Sequence, residues 1–204
     1  MNLFELDLLT ALITCSVLIF IYAGTLYKVY MGSRYPTIIN IASLLLAANV
    51  MYLVKWLGFH ELIIGGKDNP DDKDTLFAWA CVLAIGQSIG DLCFCVGQWL
   101  LAVYYLNIGT NMPKVLINRQ GGQAQITDYN PARRYGVAVN TLIPLTLLGF
   151  SVGYYFKEIN NDEDGSFVAI ATFSLTAAES LSEIVSGTIL VWSVFCIRSY
   201  LKST

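Results

Sequence analysis

The 32 residues 75–106, TLFAWACVLAIGQSIGDLCFCVGQWLLAVYYL, are apolar except for one charge, Asp91, close to their midpoint. As a helix rising about 1.5 Å per residue, such a run measures about 48 Å, against about 30 Å of bilayer hydrocarbon. The run reads as a central membrane span. A charge at mid-bilayer costs at least about 2.5 kcal/mol unless it is protonated, paired or hydrated, so Asp91 requires compensation from elsewhere in the chain.

Four further runs share this character. Residues 8–27, 35–54 and 135–156 carry no charge, and 166–197 carries only Glu179 and Glu183. With 55% hydrophobic and 13% charged residues, the chain leaves little polar sequence between the runs. None alternates with a period of two, which excludes a membrane barrel and leaves helices to satisfy the backbone in lipid. The expected fold is all-α, a polytopic membrane helix bundle of five spans in a single membrane domain, 1–204. Glu5 and Asp7 precede the first run and no small-residue cleavage site follows it, so it is expected to stay in the mature protein rather than act as a signal peptide.

Basic residues in short connections set orientation. Lys28, Arg34, Lys114, Arg119, Arg133, Arg134, Arg198 and Lys202 fall on one side, while only Lys55, Lys67, Lys73 and Lys157 fall on the other. The N-terminus is therefore expected outside and the C-terminus in the cytoplasm. Among the acidic residues of the connections, eleven lie on the outer side and only Asp128 on the inner one. A basic inner face suits anionic lipid head groups.

The membrane-embedded acids carry the most information. Gln87, Asp91 and Gln98 share one helical face with Cys95, and on the fifth run Thr172, Thr176, Glu179, Glu183 and Ser186 recur along one side. Both runs start on the outer side, and counting from their starts places Asp91, Glu179 and Glu183 within about 6 Å of one depth. No Lys or Arg lies inside the apolar runs to pair with them. Gln87, Gln98, Ser180 and Asn140 are the expected hydrogen-bond partners, and a proton or cation path is the functional alternative. Gly86 with Gly90, and Gly149 with Gly153, form small-xxx-small pairs that let another helix approach closely.

Other features weigh less. Asn40 and Asn49 offer interhelical hydrogen bonds, and Gly65 and Gly66 are expected to break an interfacial segment that follows the second run. Asp74 is placed to cap the third. Asn160, Asp162 and Asp164, followed by Gly165, resemble the first half of a calcium loop, although Ala171 stands where the bidentate Glu belongs. His60, the only histidine, reads as an interfacial residue. Cys15, Cys81, Cys93, Cys95 and Cys196 all fall within the runs, with Cys93 and Cys95 on opposite faces, which argues against a shared metal. No nucleophile, base and orienting group cluster at an aqueous position, and no phosphate loop, haem or zinc pattern occurs, so enzyme activity and nucleic-acid binding are not expected.

The stretch 90–116, GDLCFCVGQWLLAVYYLNIGTNMPKVL, resembles the third-span region of a large group of uncharacterised multi-span membrane proteins common in ciliates. Asp91, Trp99, Tyr104, Tyr105, Met112 and Pro113 match that pattern, and Gln98 stands where those proteins carry His. The resemblance implies a membrane bundle, often of seven spans, and no activity.

These features lead to a non-enzymatic membrane protein that associates with copies of itself through the polar seams and small-residue faces, as a membrane-organising scaffold with bound lipid. A proton- or cation-coupled transporter or channel using the three carboxylates is the alternative, and a receptor comes third.

Overall fold

The structure is a computed structural model that describes residues 3–32, 35–68, 72–160 and 166–203, with side chains described for 8–32, 35–64, 72–159 and 170–202. Five helices follow one another: α1 (Leu3–Gly32), α2 (Pro36–Asp68), α3 (Lys73–Arg119), α4 (Asn130–Asn160) and α5 (Ser166–Ser203). No strand occurs among the described residues. Each helix contains a segment long and apolar enough to cross a membrane: Leu8–Gly32, Pro36–Ile64, Lys73–Arg119, Asn130–Ile159 and Ile170–Lys202.

The helices outrun the apolar sequence. A charged residue ends the favourable transfer into lipid, but the ladder of peptide hydrogen bonds continues wherever propensity allows. Thus α2 passes through Lys55, and Gly65 and Gly66 do not break it. Two glycines cost a helix about 1 kcal/mol each, less than a proline and too little to stop one that is otherwise well formed. At the start of α3 the cap is Asp72 rather than Asp74: its carboxylate accepts from the Thr75 amide at 3.2 Å, and Asp74 sits in the first turn.

α3 is the axis of the bundle, packing against α2, α4 and α5, whereas α1 touches only α2. Burial follows that plan. In the most apolar window of each helix, 61% of α3 is buried against 6% of α1. Phe20 on α1 is 79% exposed and Phe173 on α5 is 77% exposed, a surface that only lipid or another apolar partner would solvate well.

Glycine sets the closest contact. A Cβ at Gly86 would stand 2.5 Å from the Lys55 amide nitrogen, one at Gly90 would stand 2.8 Å from the Tyr52 ring, and one at Gly58 would stand 2.9 Å from the Leu83 nitrogen. Positions 58, 55 and 52 thus meet 83, 86 and 90 in turn, which fixes α2 and α3 as antiparallel. Gly86 and Gly90 act as expected, with α2 as the partner helix. Gly149 is exposed, with nothing within 4 Å of its Cβ position, and Gly153 is half-buried.

α4 runs antiparallel to α3, with Phe77 edge-on to Phe156 at one end and Trp99 donating to the Ala132 carbonyl at 3.2 Å further along. A Cβ at Gly136 would overlap the Trp99 indole, so only glycine leaves the ring its place. α5 runs parallel to α3: Cys95 and Gln98 meet Glu183, while Gly109 meets Ser193. α2 and α5 flank α3 without contacting each other among the described residues.

α3 extends beyond its apolar run and stops at Gly121, whose φ of +86° lies in the left-handed region that glycine adopts without steric cost. The chain then doubles back along α3, strapped by two asparagines. Asn118 accepts from the Ala124 amide at 2.6 Å and donates to its carbonyl at 3.0 Å, and Asn111 brackets Thr127 with two bonds of 2.9 Å. Lys114 adds a 2.7 Å bond to the Thr127 hydroxyl.

Candidate functional site

The three carboxylates lie on α3 and α5, and the Cys95 thiol links the two helices at their level. Asp91 is buried on α3, Glu179 is buried on α5, and Glu183 lies one turn beyond it, half-buried. Between them stands Cys95, with Sγ 3.9 Å from Glu179 Oε1 and 3.8 Å from Glu183 Oε1. A thiol has one proton, so it can donate to only one of these carboxylates at a time. The equal depth expected from residue counting puts Cys95, one turn from Asp91, at the level of both glutamates.

Two features were not legible from the apolar runs. Tyr52 of α2 donates a 2.8 Å hydrogen bond to Asp91 Oδ1. Lys55, expected in an outer connection, lies inside α2, within the segment long and apolar enough to cross a membrane, and its backbone packs on Gly86 of α3. A lysine thus lies inside a candidate span where none was expected. The reason is geometric: the apolar run ends at Val54, but the next turn of helix still packs on Gly86.

The other expected members divide. Gln87 neighbours Asp91 and interacts with it. Gln98 donates to the backbone carbonyl of Glu183 at 3.4 Å, rather than to a carboxylate. Thr176 is exposed, and its hydroxyl donates to the Thr172 carbonyl one turn back, so it stands outside the cluster. Asn140 likewise does not reach the acids. It accepts from Ser182 at 2.6 Å and thereby ties α4 to α5. Asn49 is buried but donates to Leu45 within its own helix, where an interhelical bond was expected.

Four buried polar atoms among the described residues have no hydrogen-bond partner: Ser88 Oγ, Asp91 Oδ2, Gln98 Oε1 and Thr172 Oγ1. Most buried polar groups in folded proteins are paired, so such a group needs an explanation. With α3 and α5 parallel, Thr172, Glu179 and Glu183 recur on one face of α5 and Asp91, Cys95 and Gln98 on one face of α3. Thr172 stands two turns before Glu179, and Gln98 lies two turns past Asp91. From Thr172 to Glu183 that face of α5 is about 16 Å long.

Among the described residues no three His, Cys, Asp or Glu side chains are arranged to hold a metal ion. For the calcium reading, Asp162 and Asp164 lie outside the described residues, and only the backbone of Asn160, the last residue of α4, lies within them. His60 stands 3.2 Å from Glu61 near the far end of α2.

Comparison of the chain with protein-family models, with curated proteins and with solved structures finds no match in any of the three.

Proposed function

We propose that this five-helix chain is a multi-pass membrane protein that moves protons, or a small monovalent cation, along the seam between α3 and α5. The reading rests on one observation: a buried carboxylate oxygen, Asp91 Oδ2, lacks a hydrogen-bond partner beside two further carboxylates at mid-span. No ion pair to Asp91, Glu179 or Glu183 occurs among the described residues, so the three acids ionised together would carry an unbalanced negative charge. A low-dielectric interior tolerates that excess only when protons or a bound cation neutralise it. Cys95, placed between Glu179 and Glu183, supports proton exchange because a thiol can both donate and accept. In this reading the N-terminus faces outward, the C-terminus is cytoplasmic, anionic lipids gather at the basic inner face, and the chain is not an enzyme.

A self-associating scaffold is the second reading, and one observation favours it. Ser180 is polar yet faces outward from α5 at the level of the carboxylates, where a neighbouring copy would suit it better than lipid does. Support for assembly through the acids themselves is weaker, since Asp91 and Glu179 are 7% and 6% exposed within a single chain.

Proton flux into liposomes containing the purified chain, followed with an internal pH dye, tests the first reading. Flux is expected for the unaltered chain and its loss for Asp91→Asn and Glu179→Gln, with particle mass in mild detergent unchanged. An unaltered chain with no flux and a large, regular particle would leave only the scaffold.

A further inference from the structure

A second polar feature lies at the far end of the bundle, away from the carboxylates. A cavity of about 430 Å³ opens between the first turns of α2 and α4, the side of α3, and the returning segment after Gly121. Its volume falls within the range of small-ligand sites. Its walls change character with depth. Leu100 and Val103 belong to the apolar run of α3, and Asn107, one turn further, ends that run. The cavity therefore straddles the level at which hydrocarbon gives way to head groups.

Both signs of charge reach it. Asp128 and Arg133 line the same cavity, together with the rings of Tyr104 and Tyr129. The Asp128 carboxylate is fixed by the Asn130 amide, which donates to it at 2.9 Å, and the preceding residue, Thr127, is strapped to α3 by Asn111. The site is thus held in place by the fold. A purely anionic ligand would meet Asp128 and a purely cationic one would meet Arg133. A ligand carrying phosphate and ammonium a few bonds apart satisfies both: Arg133 with the Thr37 hydroxyl suits the phosphate, while Asp128 and the tyrosine faces suit the ammonium.

We propose that this cavity binds the amino-phosphate head group of a zwitterionic phospholipid, with its acyl chains leaving past Leu100 and Val103 into the membrane. The site is independent of proton movement along the α3–α5 seam.

The test is native mass spectrometry of the purified, delipidated full chain. It is titrated with phosphatidylethanolamine, phosphatidylcholine and phosphatidylglycerol of matched acyl chains, and separately with free phosphoethanolamine. The unaltered chain is expected to retain phosphatidylethanolamine about tenfold more strongly than phosphatidylglycerol, the factor that one charge-assisted hydrogen bond to Asp128 supplies, with phosphatidylcholine, whose quaternary ammonium has no N–H to donate, in between. Arg133→Gln should reduce that retention about tenfold. Asp128→Asn preserves the capping of α4 and should abolish the preference over phosphatidylglycerol. Equal retention of phosphatidylglycerol by the unaltered chain, or a preference that survives Asp128→Asn, would overturn the proposal. Free phosphoethanolamine binding as tightly as the intact lipids would overturn the assignment to a membrane lipid.

Discussion

Tyr52 on α2 and Asp91 on α3 are joined by a 2.8 Å hydrogen bond inside the membrane-crossing part of the bundle, 39 residues apart in sequence. It joins α2 to the buried carboxylate of α3, one turn from the Cys95 thiol that contacts the glutamates of α5. Tyr52→Phe removes the donor while keeping the ring against Gly90. The expected loss is about 1–3 kcal/mol of stability, the range for a bond to a group that can be charged. A double-mutant cycle with Asp91→Ala, which removes the acceptor, read by denaturant unfolding in mild detergent, should return a coupling of about 1 kcal/mol. A coupling near zero would mean that the bond does not form.

The glycines give a paired prediction. Gly86→Ala pushes a methyl against the Lys55 backbone, which cannot move aside as a flexible side-chain tip would, so a loss of about 1–3 kcal/mol is expected from overpacking. Gly149→Ala meets nothing in its own chain and should be neutral or stabilising by up to about 1 kcal/mol through helix propensity. Thermal unfolding of both variants in the same detergent makes the comparison. A destabilised Gly149→Ala would reveal a neighbour outside the chain, as the scaffold reading requires.

Loss of a strap should free the loop that returns along α3. Asn118→Ala deletes two bonds to residue 124, each worth about 1 kcal/mol, so trypsin should cut after Arg119 roughly tenfold faster or more. Asn140→Ala, distant from that loop, should leave the rate unchanged. Limited proteolysis timed by mass spectrometry distinguishes the two.

Thiol chemistry maps the interior. Cys15, Cys93 and Cys95 are buried while Cys81 and Cys196 are half-exposed, so a membrane-permeant maleimide should modify the latter two first. A water-soluble methanethiosulfonate reaching Cys95 in the folded chain would show an aqueous route to the carboxylates.

Sequence reading recovers the helices because apolar length defines a span. About 1.5 Å of rise per residue is what puts Asp91, Glu179 and Glu183 at one expected depth, and Cys95, one turn from Asp91, does contact both glutamates. What sequence reading misses comes from treating the end of an apolar run as the end of a helix. Lys55 and Gly58 were assigned to an outer connection, yet both pack on α3 because the helix continues past Val54. Tyr52, unremarkable within the second apolar run, serves as a hydrogen-bond donor to Asp91. Its role depends on Gly90 admitting the ring, a relation between two helices that no single-helix pattern encodes. The asparagine strap was hidden for a similar reason: Asn111 and Asn118 lie past the apolar run, and their partners in 124–127 have no pattern of their own.

The length of α3 has a mechanical consequence. From Cys95 to Arg119 the helix continues for about 36 Å through Pro113, with its last turns braced by the returning segment at 124–127. A tilt of about 5° at Cys95, small enough to preserve the glycine contacts, would carry the far tip sideways by about 3 Å. Occupancy of a few buried atoms would then be read out as displacement in the water beyond the lipid, where another molecule could feel it.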